Sequence, residues 1–435
     1  MADEGAIRVT TSEESSVVRR LEVEVDAGRV RQAFERAYRD LARRARIRGF
    51  RPGKAPRAVL ERMYGPQIRE EIEHSLVSES LPKAVEEAGL HPVGEPAIDA
   101  RPPEADEPFR YTAQIEVKPA IELPPLEGLP GERPSTELSE TDVLTELEGL
   151  RERHAQLLEE PAGVAGAPGH VLKVDFVGRV DGKPFEGGSG HDVAVELGSD
   201  RFLPGFAEQL EGVRAGEDRE VRVSFPEDYG HPELAGKEAV FAVHVASVQR
   251  RELPELDDDF AKDLGEFEDL EALRRRVRDD LRAARERAAE VRLRASLLGA
   301  LVARTSFEVP PGLVERRLDR QLARAHHELE DSMPEEALHA QLDAWREAWR
   351  SRAERDVREA LLLEAVAAKQ GLVVSDEELE ARIASLAQEQ GVDAPRLRNA
   401  YRQGELWEAL RVQMLDEKAL AFLCAEAKIE EGRDT

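Results

Sequence analysis

Gly49-Phe50-Arg51-Pro52-Gly53-Lys54-Ala55-Pro56 is the stretch around which the chain is organised. Glycine and proline alternate through it, so neither a helix nor a strand can run across. It is expected to be a loop of defined, non-repetitive shape. At its tip stands one large apolar ring, Phe50, beside two cations, Arg51 and Lys54. Helical patterns flank it on both sides. An aromatic with paired cations suits docking to a surface that is partly apolar and partly phosphate or carboxylate. Taken alone, the eight residues fit an ordinary tight turn with solvated charges at least as well, and the surroundings decide.

Upstream, residues 17–25 end in apolar/charged alternation, the pattern of a half-buried strand. Asp26 can cap the helix that follows, in which Val30, Phe34, Ala37, Leu41 and Ala45 share one face. The opposite face is basic. From Arg29 to Arg57 there are eleven cations and two acids, a local balance of +9 in a chain of net charge −28. A run so one-sided, leading straight into the Phe50 loop, marks a local anion-binding site. Downstream, Pro56 opens a helix carrying Val59, Leu60 and Met63, which Gly65-Pro66 is expected to end. A second helix is expected from Gln67 to Ala88, then strands over 97–100 and 109–117. The sum is an α+β domain over residues 1–118.

The 435 residues leave room for about two to four domains. The strongly acidic balance argues against general DNA affinity and against attraction to anionic membrane. Cys424 is the only cysteine, so no internal disulfide and no cysteine zinc site can form. Met1-Ala2-Asp3-Glu4 opens acidic with no apolar segment after it, and no apolar run approaches the ~20 residues of a membrane span. A soluble cytoplasmic protein is expected.

Residues 119–138 are rich in proline, glycine and acids and read as a linker. Ser139-Glu140-Thr141-Asp142 looks like a capping box for a helix with Val143, Leu147 and Leu150, and the lone His154 at its end reads as surface. A second linker spans 161–169. Residues 170–250 are β-rich: a strand over 171–178, a hairpin signal at Asp181-Gly182, further strands over 192–197, 219–225 and 239–248, and a short helix near Phe206–Leu210. From Leu253 onward helices are expected near 268–304, 312–331, 334–370, 375–390 and 393–428. No strict heptad persists, so packed arms with apolar grooves fit better than a coiled coil.

Six of the chain's 13 Phe fall between Phe176 and Phe241, together with Tyr229. Two motifs carry most of them, Phe185-Glu186-Gly187-Gly188 and Phe202-Leu203-Pro204-Gly205-Phe206. No Ser-His-Asp set, metal-ligand cluster or phosphate-binding loop accompanies them, and His191 and His231 show no obvious partner. Rotation about an X–Pro amide needs aromatic walls and neither acid, base, metal nor cofactor. Its barrier is amide resonance, and an apolar pocket favours the twisted, less polar state. The aromatics could also simply fill a small β core.

These residues resemble the FKBP-type peptidyl-prolyl isomerases. Val174-Asp175-Phe176-Val177-Gly178, Asp181-Gly182-Lys183-Pro184-Phe185-Glu186, Leu203-Pro204-Gly205-Phe206 and Phe225-Pro226-Glu227-Asp228-Tyr229-Gly230 fall in that family's order. The resemblance implies a pocket of Phe176, Phe185, Glu186, Val195, Phe202, Leu203, Phe206, Tyr229 and Phe241, with Leu203 offering its backbone N–H. The family often has Tyr at the Phe176 position, Asp at Glu186 and Trp at Phe206.

Over essentially its whole length the chain resembles the bacterial trigger factor family of ribosome-associated chaperones. The Gly-Phe-Arg-x-Gly-Lys-x-Pro loop on a basic helical module is similar to that family's docking signature. The resemblance implies a multidomain α+β protein: a ribosome-binding α+β domain over 1–118, a linker with a helix packing on the C-terminal part over 119–160, an FKBP-like β-rich isomerase over 161–250, and a helical chaperone domain with arms over 251–435. Gly49, Phe50, Arg51, Gly53 and Lys54 would then dock against protein and rRNA near the tunnel exit. Unfolded nascent polypeptides would be the clients, and the free protein would form a homodimer. Two other readings remain open: a free cytoplasmic isomerase with a helical dimerisation region, and a holdase with a vestigial pocket.

Overall fold

The computed structural model describes residues 7–45, 50, 56–199, 203, 205–226, 234–265, 267–404 and 406–432. The chain forms two compact units, one from residues 1–135 with 290–435 and the other from residues 136–289.

The first unit opens with β1 (Ile7–Glu13), β2 (Val18–Val25), α1 (Ala27–Arg44), α2 (Arg57–Glu87), β3 (Ala97–Ala100) and β4 (Phe109–Glu116). The four strands form an antiparallel sheet of order β1-β2-β4-β3. Its register sets Leu21, Val23 and Val25 opposite Ala113, Tyr111 and Phe109. Period-two alternation therefore gathers these side chains on one face, where Val30, Phe34 and Tyr38 of α1 and Ile68, Ile72 and Leu76 of α2 bury them. Asp26 caps α1 as expected, accepting the Gly28 N–H at 2.7 Å.

The expected break at Gly65-Pro66 does not occur, because α2 runs unbroken through it and through Pro82. Leu60, Ile68, Ile72, Leu76 and Ala84 form one buried stripe at multiples of four, in phase on both sides of Pro66. An interior proline costs about 3 kcal/mol. Each large apolar side chain buried there returns about 1.5–3 kcal/mol, so packing outweighs the lost hydrogen bond.

The second unit holds α3 (Glu140–Arg153), β6 (Gln156–Glu159), β7 (His170–Val180), β8 (Lys183–Glu196), a 3-10 turn (Glu208–Leu210), β9 (Asp218–Ser224), β10 (Glu238–Glu252), α4 (Asp258–Asp263) and the start of α5 (Leu270–Arg304). Ser139 and Asp142 make the expected capping box on α3. Val143 and Leu147 of that helix pack on Phe260, Leu273 and Val277. In the sheet, β10 pairs antiparallel with β7 along one edge and with β9 and β6 along the other, and β8 follows β7.

Back in the first unit, α5 leads to α6 (Pro311–Leu329), α7 (Glu335–Gln370), α8 (Asp376–Gln390), α9 (Ala394–Arg402) and α10 (Leu406–Glu426). The expected single helix over 393–428 is two, parted by Gln403-Gly404, and the chain then enters β11 (Lys428–Glu431). α6 and α7 pair through Val314, Leu318 and Leu322 against Ala353, Val357 and Leu361. Part of the segment read as a linker, 119–138, is core instead. Its Leu126 and Leu129 are buried among Leu293, Leu297, Leu362, Val366 and Leu423. Beyond them β5 (Pro130–Arg133) pairs parallel with β11. Gly131 makes that approach possible, since a Cβ there would stand 2.8 Å from Leu297 Cδ2 and 2.9 Å from Leu293 Cδ1.

Candidate functional site

The β7–β8 hairpin turns at Asp181-Gly182, both with positive φ (52° and 79°), as a two-residue turn of the strand-matching hand requires. The turn sets Val180 opposite Lys183 and Arg179 opposite Pro184. Phe176 on β7, Phe185 on β8 and Phe241 on β10 all project into the unit's apolar core, with Phe206 beneath them. Phe241 is the hub. Its ring meets those of Phe176, Phe185 and Phe206 edge-on, with centroids 5.8, 6.2 and 5.4 Å apart. Phe225 extends the cluster from Phe185 at 5.8 Å.

Three glycines seat these rings. A Cβ at Gly178 would lie 2.5 Å from Phe241 Cε1, one at Gly188 2.8 Å from Phe185 Cζ, and one at Gly190 2.8 Å from Phe176 Cε1. None of the three has a positive φ. They are glycines because a ring occupies the place of the side chain.

Burial divides the expected pocket residues. Phe206, Phe241 and Val195 are buried, at 0, 4 and 1 % exposure, and form a floor. Phe176, Phe185 and Leu203 are only partly buried and form its accessible rim. Leu203 is held there by a turn in which its carbonyl accepts the Phe206 N–H at 2.9 Å, with Gly205 at φ 81°. Phe202, Tyr229 and the Glu186 side chain lie outside the described residues. Sequence reading left Phe225 out of the pocket set and missed the three seats, although glycines beside Phe185 were visible. His191 does have a partner: its Nδ1 lies 2.5 Å from Asp175 Oδ1.

Of the expected docking residues only Phe50 is described, and it is 40 % exposed. Gly49, Arg51, Gly53 and Lys54 lie outside the described residues. On α1 the side chains of Arg31, Arg36, Arg39, Arg43 and Arg44 are exposed. Arg57 stacks over the Tyr38 ring at 5.0 Å. Among the apolar residues of the helical region, Leu301, Leu318 and Leu361 are core. Trp345 and Trp349 stack on α7 with centroids 4.9 Å apart and stay partly exposed, and Leu406 is 53 % exposed.

Family models match this chain in three blocks: bacterial trigger factor protein over residues 7–150, FKBP-type peptidyl-prolyl cis-trans isomerase over 164–246, and bacterial trigger factor protein C-terminus over 269–425. The trigger factor of Citrifermentans bemidjiense is 36 % identical over 428 residues, covering 98 % of each chain. That of Pelotomaculum thermopropionicum is 38 % identical over 419 residues, covering 94 % of this chain and 95 % of its own. A solved structure of a trigger factor chaperone, 24 % identical, covers 96 % of this chain and 99 % of its own with a TM-score of 0.52, a likeness of fold.

In chain order, a trigger factor block, an FKBP-type isomerase block and a trigger factor C-terminal block define a ribosome-associated chaperone with a built-in prolyl isomerase. The chain belongs to the trigger factor family.

Proposed function

We propose that the chain isomerises X–Pro bonds on the ring cluster of the second unit. The substrate proline would rest on the partly exposed Phe176, Phe185 and Leu203, over the floor of Phe206, Phe241 and Val195, with Glu186, Phe202 and Tyr229 completing the wall. The observation that carries this reading is the glycine-seated ring cluster, buried below and accessible at its rim. The amide barrier of about 18–20 kcal/mol is resonance energy. A planar amide is the more polar state, so an apolar surface that replaces water raises it relative to the twisted one. A backbone N–H from Leu203 would hold the substrate carbonyl. No proton changes hands. Phe185→Ala should lower turnover of an X–Pro tetrapeptide by about tenfold or more, equivalent to at least ~1.4 kcal/mol of transition-state stabilisation. Unchanged turnover would place the pocket elsewhere.

The finer partner contacts belong to the same proposal. Gly49, Phe50, Arg51, Gly53 and Lys54 would dock the chain on ribosomal protein and rRNA near the tunnel exit, helped by the exposed arginines of α1. The division of labour would follow 1–118 for docking, 119–160 as connector and packing helix, 161–250 for isomerisation and 251–435 for holding unfolded chains. The free protein would be a cytoplasmic homodimer. Co-sedimentation with bacterial 70S ribosomes tests the dock: wild type should pellet, and the triple variant Phe50→Ala, Arg51→Ala, Lys54→Ala should stay in the supernatant. Equal pelleting of both would remove the loop from the interface.

A further inference from the structure

The strands that carry the ring pocket on their inner side carry a row of imidazoles and carboxylates on their outer side. Strand alternation turns Val174 and Phe176 inward and Asp175 and Val177 outward on β7. On β10 it turns Phe241 and Val243 inward and Ala242 and His244 outward. The register sets His244 directly opposite both Asp175 of β7 and Asp218 of β9. On the far side of Asp175, β8 is irregular. Val174 pairs with Val193 and Phe176 with Gly190, so the single Asp175 faces two residues, His191 and Asp192. A bulge of this kind re-aims side chains. Here it brings two potential ligands to one carboxylate, with Asp192 at φ 56°.

His191 Nδ1 lies 2.5 Å from Asp175 Oδ1, and Asp175 Oδ1 also accepts the Asp192 N–H at 2.8 Å. One donor atom from each of Asp175, His191 and Asp192 lies within 4.8 Å of the others. The Lys173 ammonium already sits 3.0 Å from Asp192 Oδ1, a monovalent cation on the same carboxylate. A groove of about 740 Å³ on this face is lined by Asp175, His191, Asp218 and His244, with Val177 and Ala242 between them.

We propose that Asp175, His191 and Asp192, with His244 alongside, bind a borderline divalent transition-metal ion such as Zn²⁺ or Ni²⁺. Imidazole with carboxylate is the donor mix those ions take. Two carboxylates alone are too few oxygens for Ca²⁺, which takes about six to eight. The ion would tie β8 to β7 at the irregular point of their pairing. It lies across the sheet from the proline pocket, so the proposal stands whether or not that pocket is the isomerase site.

The test is a calorimetric titration of the metal-stripped full-length protein with NiCl₂ and with ZnCl₂. Wild type should take up one ion at this site. His191→Ala and Asp192→Asn should each weaken that step by about tenfold to a hundredfold, the range in which removal even of a supporting partner falls. His244→Ala should also weaken it. Lys173→Ala should tighten it, because a competing ammonium is gone. The four side chains are exposed or partly so, and unchanged thermal unfolding of each variant checks the fold. A separate imidazole–carboxylate group, His326 and His327 with Glu330, serves as control. Identical isotherms for wild type and His191→Ala overturn the proposal. So does a loss caused by His326→Ala with His191→Ala unaffected.

Discussion

Replacing Gly178 with alanine puts the ring cluster to its severest test. The added Cβ would stand 2.5 Å from Phe241 Cε1 and 2.8 Å from Cδ1, with the Gly188 carbonyl oxygen at 3.0 Å. Carbon atoms rest at about 3.5–4.0 Å from one another, so the ring must retreat by roughly 1 Å. It cannot retreat alone, since Phe176, Phe185 and Phe206 all meet it edge-on. Overpacking a core in this way costs about 1–3 kcal/mol. The displaced hub would carry the rim residues Phe176 and Phe185 with it. If part of the cost falls on the transition state, turnover of an X–Pro tetrapeptide drops by about tenfold for each ~1.4 kcal/mol. A protease-coupled isomerisation assay and urea unfolding of the full chain read the two effects. The expected result is a loss in both, with the double variant Gly178→Ala, Phe241→Leu regaining stability because the shorter side chain leaves room for the Cβ. Wild-type turnover in Gly178→Ala alongside a lowered unfolding midpoint would refute the link between the seated rings and catalysis.

Two further outcomes follow from the first unit. Gly131→Val should cost about 1–3 kcal/mol in urea unfolding, because its side chain would enter the space of Leu293 and Leu297; an unchanged midpoint would show that β5 is not held against α5. Burial foremost, with Glu364 and Glu417 adding, pushes the Asp416 carboxyl up from 3.8 to about 6. The folded chain therefore prefers the protonated form, whose contribution is complete below pH 3.8 and is lost as pH rises through about 6. Asp416→Asn should accordingly unfold at higher urea than wild type at about pH 7.5, with the gap narrowing as pH falls toward about 5. A gap that stays constant across that range would leave Asp416 uninvolved.

What was legible in the sequence was what neighbouring residues decide among themselves. The alternation of β2 and β4, the Asp181-Gly182 hairpin, the Asp26 cap and the capping box at Ser139 all stand where local chemistry put them. The failures share a cause. Nothing between residues 119 and 138 announces a strand, because the partner of β5 is β11, almost at the other end of the chain. β6 is four exposed residues that take their order from the edge of β10. Pro66 is a strong local stop signal, yet the stripe from Leu60 to Ala84 overrides it through tertiary burial. The Gly49–Pro56 stretch was legible as a motif, but apart from Phe50 and Pro56 its residues fall outside the described ones.

The ring cluster was legible in kind but not in depth. Aromatic density beside glycines pointed to a ring-lined site, and the seats give that density its reason. Gly178, Gly188 and Gly190 keep ordinary φ and are small because a ring lies where a Cβ would be. Which ring is floor and which is rim depends on all the strands at once, so sequence could not separate Phe206 from Phe176. The separation bears on why phenylalanine stands at position 206, where FKBP-type isomerases often carry tryptophan. Phe206 is fully buried in an apolar cluster. A tryptophan there would bring an N–H that needs a partner, and an unpaired buried donor costs about 1–3 kcal/mol. Phenylalanine at position 206 therefore keeps the buried floor of the ring cluster wholly apolar.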